Sequence, residues 1–419
     1  MAIIITLILV VAALAGVPIY ALIAGGAMYA FKTADIDSSA VIVEMMRLAS
    51  LPALIAIPLF TFAGYVLAES NSPKRMLNLA RALFGFMPGG LAAAALVSAA
   101  LFTAFTGASG VTIIALGGLL YPMLKANGYP ESFNLGLLST TGSLGLLFPP
   151  SLPIILYGLV AGVSIDKLFT AGFVPGVLLL IMLICYALYV GKKAGVKSTP
   201  FEWKELKTAV REAIWEIPLP FLVIGGIYGG FFTATEAATV MAFYVIVTEV
   251  FIYRELDFFK DLPGVIARSM ILVGAIFLVL GTALGLTNYL VDAEVPSRLF
   301  AWLHSFVQSK IVFLLILNAF LLVVNMIEIF SAIIIVVPII APVAAQYGID
   351  PVHLGIIFLL NLEIGYMTPP FGLNLFLANR RFEKPLVTIY GAVFKFWLML
   401  LVALAVVTYV PQLSLFFVK

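Results

Sequence analysis

GSLGLLFPP at residues 142–150 is followed, 220 residues later, by LEIGYMTPP at residues 362–370, and this pair of stretches decides the fold. Each stretch ends on adjacent prolines, which lack a backbone N–H and disfavour helix in the residue before them. Each therefore predicts a helix break that leaves carbonyl oxygens without partners. In an apolar chain such backbone is tolerated only where it is buried in protein or lines a wet cavity.

The similarity between the two stretches extends along the chain at the same offset. Gly128 corresponds to Gly348, and Gly145 corresponds to Gly365, without a gap. Three pairs of apolar runs also correspond, namely 3–31 with 223–251, 51–68 with 271–288, and 170–191 with 390–411. Internal similarity at so long a period is typical of transporters built from two related halves.

The composition places most of this chain in lipid. Hydrophobic residues make up 63% of the 419 positions, and charged residues make up 11%. Apolar runs of the ~20 residues that cross a bilayer as a helix recur throughout. They lie at about 3–31, 51–68, 170–191, 236–253, 271–290 and 388–410. The sequence predicts an all-α polytopic membrane protein whose first run is a retained span rather than a signal peptide.

The placement of Lys and Arg predicts the orientation, with a cytoplasmic N-terminus that puts most basic residues inside. The loop before 91–124 is net basic and the equivalent loop before 311–345 is balanced, so the two repeats are expected to be inverted. Lys395 falls within the last span, where its ammonium group has to reach the boundary or face protein. We expect three parts: a first inverted repeat at 1–191, a cytoplasmic amphipathic connector with a linking span at 192–235, and a second inverted repeat at 236–419.

Two segments in each half are too interrupted to be ordinary spans. Polar or glycine residues divide the runs at 91–124 and 311–345 into arms shorter than the ~20 residues needed to cross, which predicts two re-entrant helical hairpins. The runs at 134–162 and 352–378 contain the Pro-Pro pairs and are predicted to be discontinuous helices.

The interruptions bring together hydroxyl, amide and backbone oxygens that suit sodium, and helix N-termini that suit a carboxylate. The alternative for each Ser or Thr is a hydroxyl that bonds a carbonyl of its own helix. The candidate residues of the first half are Thr106, Gly107, Ser109, Gly110, Ser139, Thr141, Gly142 and Ser143. Those of the second half are Asn325, Met326, Glu328, Ser331, Asn361, Glu363 and Thr368.

Two acidic residues among these candidates need separate weighing, because a carboxylate deep in a membrane is costly and is a functional candidate by default. Glu328 is the stronger candidate, since it occupies a predicted hairpin tip. Glu363 has the alternative of being protonated or paired within the bundle. Glu236 follows Thr233 at the spacing of a capping box, which favours a structural role.

Other classes of site are not indicated by the sequence. The two histidines are too far apart to argue for a metal site, and no glycine-rich stretch resembles a phosphate loop. The single Cys185 in an apolar run excludes a disulfide and favours packing. No Arg or Lys lies at the centre of the hairpins or broken helices, so an anionic substrate is expected to depend on a bound cation.

At these residues the sequence resembles the large membrane subunit of tripartite ATP-independent periplasmic (TRAP) transporters. The resemblance covers essentially the whole chain, and the matching motifs are GVP at 16–18, GASGVT at 107–112, LFPPS at 147–151, FTATEAA at 232–238 and TPPFG at 368–372. The sequence departs from the family pattern at Glu328, where an aspartate is expected, and at Ala108, where a second serine is common.

The resemblance implies a sodium-coupled secondary importer of elevator type in the bacterial inner membrane, with sodium as the coupling ion and no organic cofactor. It also implies a small four-helix membrane subunit, expected as a separate chain, and a periplasmic substrate-binding protein that delivers an organic acid. No nucleic-acid partner is expected. One alternative is a stand-alone sodium/dicarboxylate symporter of the related elevator class. An intramembrane enzyme or a channel is the other, and the absence of a catalytic constellation argues against the enzyme.

Overall fold

A computed structural model describes residues 8–9, 11–13, 15–37, 39–48, 50–107, 109–196, 198, 200–324 and 329–418. Throughout these residues the regular structure is helical, and they contain no β-strand. The predicted all-α class is therefore confirmed. Asn325, Met326 and Glu328, which the sequence proposes as site residues, lie outside the described part of the chain.

The helices follow one another with short connections. In chain order they are α1 (Ile19–Thr33), α2 (Ser39–Leu48), α3 (Ala56–Glu69), α4 (Ser72–Phe84), α5 (Gly90–Thr106), α6 (Ser109–Ala126), α7 (Glu131–Thr141), α8 (Leu152–Ala161), α9 (Ile165–Lys193), α10 (Trp203–Glu212), α11 (Pro218–Tyr228), α12 (Ala234–Ile252), α13 (Leu262–Asp292), α14 (Val295–Phe306), α15 (Lys310–Val324), α16 (Ile329–Gln346), α17 (Pro351–Gly365), α18 (Leu373–Phe382), α19 (Leu386–Tyr409) and α20 (Gln412–Leu415).

Several of these helices are long and apolar enough to cross a membrane. Within the described residues there are 7, namely α3 with the turn before it, α6, α9, α12, α13, α16 and α19. Their number and composition confirm that this is a multi-pass membrane protein. Two of these helices, α6 and α16, are arms of the predicted hairpins, so the expectation that every arm is too short to cross is not met.

The helix breaks predicted at the two Pro-Pro pairs are present. In the first half, α7 continues through a 3₁₀ turn at Leu144–Leu147, and α8 then leaves at an angle of 45°. In the second half, α17 ends at Gly365, and α18 begins at Leu373. Both Pro-Pro peptide bonds are cis. The broken segments thus span 131–161 and 351–382, close to the predicted 134–162 and 352–378.

The two segments predicted as hairpins differ in their packing. The arms α5 and α6 lie against each other and are joined by a sharp turn at Gly107. The arm α15 packs on α17 and meets the preceding α14 at a bend of 118°. Residues 325–328, which join α15 to α16, lie outside the described part, so the second hairpin stays a prediction.

Helix contacts repeat at the offset found in the sequence. Helix α8 packs on α16 as α18 packs on α6, and α13 packs on α1 as α3 packs on α12. The Ser143 hydroxyl lies 3.5 Å from the carbonyl oxygen of Glu363, the residue that corresponds to it 220 positions later. Contact between equivalent residues is expected close to an axis that relates two halves. The opposite orientation of those halves stays a prediction.

A buried arginine connects the first half to the connector and to α12. Arg75 of α4 is 7% exposed and forms ion pairs with Glu216, Glu249 and Glu255, the pair with Glu249 at 2.9 Å. Its guanidinium also lies 3.8 Å from the centre of the Tyr253 ring. Burial raises the pKa of Glu216, and the charge of Arg75 opposes that rise. A single guanidinium therefore pairs with carboxylates from three places in the chain.

Replacing Arg75 by Met is expected to destabilise the protein, because three carboxylates lose the cation they share. Removing one partner of a buried ion pair costs about 3–5 kcal/mol. The measurement is the apparent melting temperature of the purified protein in detergent. Arg268→Met is the matched control, since Arg268 pairs with Glu69 at 2.9 Å on the surface, where ion pairs contribute little. Equal melting temperatures for the two variants would contradict the structural role of Arg75.

Candidate functional site

A cavity of about 600 Å³ lies where the turn of the first hairpin, the start of α16 and the middle of α13 meet. We call it the central cavity. Its volume is within the range of pockets that hold small organic ligands. The residues around it are Ile19, Tyr65, Gly107, Ser109, Gly110, Val111, Ile114, Leu146, Pro153, Leu272, Ala275, Ile276, Val279, Ile329, Phe330, Ser331, Tyr366, Leu373 and Leu377.

One wall of the central cavity is the turn between α5 and α6. Helix α5 ends on Gly107, whose φ of 63° is left-handed and whose N–H donates to the Thr103 carbonyl at 2.8 Å. Glycine is favoured here because it adopts this conformation without a Cβ penalty. A Cβ on Gly107 would also lie 2.6 Å from Cγ of Leu152. The turn thus brings Gly107, Ser109 and Gly110 to the cavity.

Two helices begin at the central cavity. Ser109 is the first residue of α6, and Ser331 lies in the first turn of α16; both line the cavity. The first N–H groups of a helix lack partners within the helix, and the helix dipole makes that end positive. The cavity therefore favours an anionic group although no Lys or Arg is among the residues placed around it.

The opposite wall is apolar and comes from continuous helices. Leu272, Ala275, Ile276 and Val279 of α13 face the cavity, and none of them offers a hydrogen-bonding side chain. Tyr65 of α3 adds a hydroxyl at the edge of this wall. The hydrogen-bonding groups of the cavity therefore come from the interrupted segments and from Tyr65, whereas the unbroken span contributes only hydrocarbon side chains. Most of the remaining lining, such as Val111, Ile114 and Leu377, is apolar as well.

Several predicted hydroxyl residues lie outside the central cavity and bond their own helices. Ser139 donates to the Leu135 carbonyl at 2.7 Å, Thr141 to Leu138 at 2.9 Å, and Thr368 to Ile364 at 2.8 Å. A hydroxyl that bonds a carbonyl of its own helix is the alternative that the sequence left open for each Ser and Thr. Each oxygen can still accept, as Thr368 does from Trp397 Nε1 at 2.9 Å. Thr106, Gly142 and Ser143 are likewise buried without lining the cavity.

Behind the hairpin turn, oxygens from two helix ends come close together. A Cβ on Gly145 would overlap backbone atoms of α5, and one on Gly142 would lie 3.0 Å from the Ser109 carbonyl oxygen. The Thr103 hydroxyl lies 2.8 Å from that of Thr112 and 3.5 Å from the carbonyl oxygen of Thr141. Oxygens at C-terminal helix ends form an environment that fits sodium.

Asn361 and Glu363 point in different directions, because residues two apart on a helix are about 200° apart around its axis. They are therefore poorly placed to bind one ion together. Asn361 Nδ2 donates to Oδ1 of Asn318 at 2.7 Å, and Asn318 in turn donates to the Thr408 hydroxyl at 3.1 Å. The buried Oδ1 of Asn361 has no hydrogen-bond partner among the described residues.

Glu363 is fully buried, and both of its carboxylate oxygens lack a hydrogen-bond partner in the described part of the chain. A buried carboxylate is stable only when it is protonated or neutralised by a cation. Glu363 is thus the described acidic residue whose charge most requires an explanation.

The structure adds residues that sequence reasoning missed. Tyr65, Tyr366 and the α13 wall line the central cavity, and Thr103 and Thr112 supply the hydroxyls behind the turn. Thr112 belongs to the GASGVT stretch, which was a usable signal. The α13 residues carry no local signal, because only packing decides which face of an apolar helix meets the cavity.

A multi-pass helical bundle with a cavity between interrupted helices is typical of membrane transport proteins. The profile of the family described as "Tripartite ATP-independent periplasmic transporter, DctM component" matches residues 4–413. The chain belongs to this family, and the resemblance found in the sequence is confirmed. It is a large permease subunit of a TRAP transporter.

Relatives agree with this assignment, and a solved structure has a similar fold. The chain is 36% identical to the C4-dicarboxylate TRAP transporter large permease protein DctM of Pseudomonas aeruginosa, over 86% of this chain and 85% of that protein. It is 32% identical to the ectoine/5-hydroxyectoine permease UehC of Ruegeria pomeroyi, over 99% and 98% of the two chains. The YdaH transporter of Alcanivorax borkumensis has a similar fold, with a TM-score of 0.64 at 15% identity over 90% of this chain and 88% of that one.

Gly107→Ala is expected to abolish transport, because the added methyl group displaces Leu152 and moves the turn that lines the central cavity. Gly128→Ala is the matched control: Gly128 also has a left-handed φ, of 83°, but a Cβ there meets nothing within 4 Å. Both variants place an alanine at a left-handed φ, and only the one at Gly107 also meets Leu152. Substrate uptake normalised to folded protein is the measurement. Equal uptake by the two variants would show that the contact is dispensable.

Proposed function

We propose that this permease imports a small organic acid anion together with sodium, and that it does so by an elevator movement. The observation that carries the proposal is the central cavity, which combines helix N-termini and hydroxyls on one wall with an apolar helix on the other. In this proposal sodium is a co-transported substrate rather than a resident cofactor.

The chemistry of the central cavity supports an anionic substrate. Its polar groups are the N-terminal ends of α6 and α16, the hydroxyls of Ser109 and Ser331, and those of Tyr65 and Tyr366. The relatives are named for C4-dicarboxylate, ectoine and isethionate, which share an acidic group on a small polar body. We infer an organic acid of this size for the present chain.

The oxygens behind the first hairpin turn support sodium as the coupling ion. Thr103, Ser109 and Thr141 contribute hydroxyl and carbonyl oxygens there, and the described residues contain no cluster of three or more His, Cys, Asp or Glu residues for a transition metal. Bound sodium supplies the positive charge that the cavity's side chains lack. Substrate binding then depends on sodium, because the anion is otherwise held only by helix dipoles and hydroxyls.

The apolar wall supports an elevator movement. The side chains of Leu272, Ala275, Ile276 and Val279 on α13 have no hydrogen-bonding group, so we propose that the interrupted helices slide along this face without breaking side-chain hydrogen bonds to it. In this proposal the hairpins and broken helices move, while α3, α13 and the helices α1 and α12 that pack on them stay fixed. The inverted repeats proposed at 1–191 and 236–419 are the two related halves of such a transporter.

The partners proposed for this chain are a periplasmic substrate-binding protein and a small four-helix membrane subunit. The isethionate permease DctMQ of Oleidesulfovibrio alaskensis is 36% identical over 87% of this chain but only 58% of its own length. Its additional length and its name support a small subunit that is fused in that protein. For the present chain we propose a separate small subunit, an inner-membrane location and a cytoplasmic N-terminus.

Uptake into proteoliposomes tests the coupling and the partners together. With a C4-dicarboxylate, isethionate or ectoine as labelled substrate, uptake is expected only when sodium, the small subunit and the loaded binding protein are all present. Unchanged uptake after sodium is replaced by choline would overturn the coupling. Uptake without the binding protein would instead indicate the stand-alone symporter.

Ser109→Ala removes a hydroxyl that we propose binds sodium through its oxygen while it donates its proton to the anion. The variant is expected to raise the sodium concentration for half-maximal uptake about tenfold, the equivalent of losing a ligand interaction of about 1.4 kcal/mol. Ser98→Ala is the matched control, because Ser98 is a buried serine of α5 that donates to the Ala94 carbonyl at 2.8 Å and does not line the central cavity. Identical sodium activation curves for the two variants would remove Ser109 from the sodium site.

Ala275→Trp tests the sliding wall. A bulky ring on the α13 face is expected to lower the maximal uptake rate at least about tenfold, an increase of about 1.4 kcal/mol in the barrier, while sodium activation stays unchanged. Leu278→Trp is the control, since Leu278 lies on another face of α13 and lines a separate surface groove. A shifted sodium activation curve with a normal maximal rate would show that Ala275 belongs to the binding site instead.

A further inference from the structure

A second cavity, of about 490 Å³, lies at the outer side of the bundle between the start of α7, the end of α9 and the first half of α19. We call it the basic cavity. It shares no lining residue with the central cavity. Its walls include Ser132 and Phe133 of α7, Tyr186, Tyr189 and Lys193 of α9, and Gly391, Lys395 and Phe396 of α19.

Two lysines in the basic cavity have no counter-ion. Neither Lys193 nor Lys395 forms an ion pair with any described residue, and no Asp or Glu lines the cavity. Glu131, beside Ser132 in the sequence, is engaged elsewhere: it accepts from Nζ of Lys384 at 2.6 Å and from the Tyr121 hydroxyl at 2.9 Å. The cavity therefore presents two uncompensated positive charges.

Lys395 is placed where an uncompensated charge is costly. It lies about 14 Å beyond the start of α19 at Leu386, at 1.5 Å per residue, and so below the boundary of the span. A lysine at such depth reaches for the boundary or for an anion. Lys395 lines the basic cavity together with Lys193, which lies in the last turn of α9.

The remaining walls of the basic cavity suit an amphiphile better than a free ion. The rings of Phe133, Tyr186 and Phe396 pack together, with centroids 5.3 to 5.9 Å apart. A Cβ on Gly391 would meet nothing within 4 Å, so open space remains beside Lys395. A small inorganic anion uses only the lysines, whereas a lipid also covers the ring of Tyr189, which lines the cavity and is 61% exposed.

The level of the cavity in the bilayer also favours a lipid headgroup. Lys192 and Lys193 end α9, and Arg380, Arg381 and Lys384 precede α19. This is the end of the bundle that the distribution of Lys and Arg predicts to be cytoplasmic. Anionic phospholipids are attracted to basic pockets between helices at that surface.

We propose that the basic cavity binds the headgroup of an anionic phospholipid, with the phosphate between Lys193 and Lys395 and the acyl chains along the exposed ring of Tyr189 and along Val190. Ser132 supplies a hydroxyl donor to the same phosphate. The bound lipid bridges α9 and α19, the spans that correspond at the 220-residue offset, and so stabilises the contact between them.

Thermal unfolding of delipidated protein in detergent tests the proposal. Phosphatidylglycerol, phosphatidylcholine and inorganic phosphate are titrated separately at constant ionic strength. The wild type is expected to be stabilised by phosphatidylglycerol alone. In the Lys193→Gln/Lys395→Gln variant the apparent Kd for phosphatidylglycerol is expected to rise at least about tenfold, because each lysine near the surface attracts anionic lipid.

Lys192→Gln/Lys260→Gln is the matched control, because it removes two basic charges that do not line the cavity and is expected to keep the wild-type response. Equal stabilisation by phosphatidylcholine, or an unchanged Kd in the cavity variant, would overturn the proposal. Stabilisation by inorganic phosphate at the same concentration would assign the site to free anions. If the double cavity variant does not fold, the single variants are measured, and wild-type affinity in both would overturn the proposal.

Discussion

The structure depends on one constraint. Backbone carbonyls that lose their helical hydrogen bonds at a break have to be covered by protein when the surroundings are lipid. Glycines allow neighbouring helices to come close enough to cover these carbonyls. A Cβ on Gly145 would overlap the backbone of α5, one on Gly172 would overlap the Leu147 carbonyl, and one on Gly64 would overlap the backbone at Thr106. Neighbouring helices thus approach the first break and the first hairpin turn closely enough to exclude lipid. The Pro-Pro pairs open the helices, and the small residues around them make the openings tolerable.

The same constraint explains why the central cavity has two unlike walls. Broken helices present their ends, and with them N–H groups, carbonyls and the hydroxyl of Ser109. The unbroken α13 satisfies its backbone internally and presents only side chains such as Ala275 and Ile276. In the proposed function, the side of the cavity that binds and the side that slides therefore follow from where the sequence interrupts its helices. The ion pairs of Arg75 join the connector and α12 to the helix just before the first hairpin, outside this region.

Local sequence signals predict the interrupted parts well and the continuous parts poorly. Prolines, glycines and polar residues in apolar runs locate both breaks and identify Gly107, Ser109, Gly110 and Ser331 as lining residues. The contribution of α13 is not predictable in this way, since a uniformly apolar helix does not encode which face meets the cavity. Side-chain direction is also missed: the spacing placed Ser139, Thr141 and Thr368 near the breaks, but their rotamers turn each hydroxyl to its own helix. The opposite directions of Asn361 and Glu363 follow from helix periodicity once the bounds of α17 are known.

Charge balance limits how the proposed transport can work. The central cavity is lined by no basic residue, so an anion that moves along the apolar wall needs a mobile cation beside it. The charge of Glu363 also has to be counted. Glu363 is buried within one of the interrupted segments that move in the proposal, and its carboxylate oxygens have no hydrogen-bond partner among the described residues. If it is ionised, it requires a further cation for every anion carried. If it is protonated, it requires none. The number of sodium ions that accompany one substrate is therefore tied to the protonation of this carboxyl group as well as to the charge of the substrate.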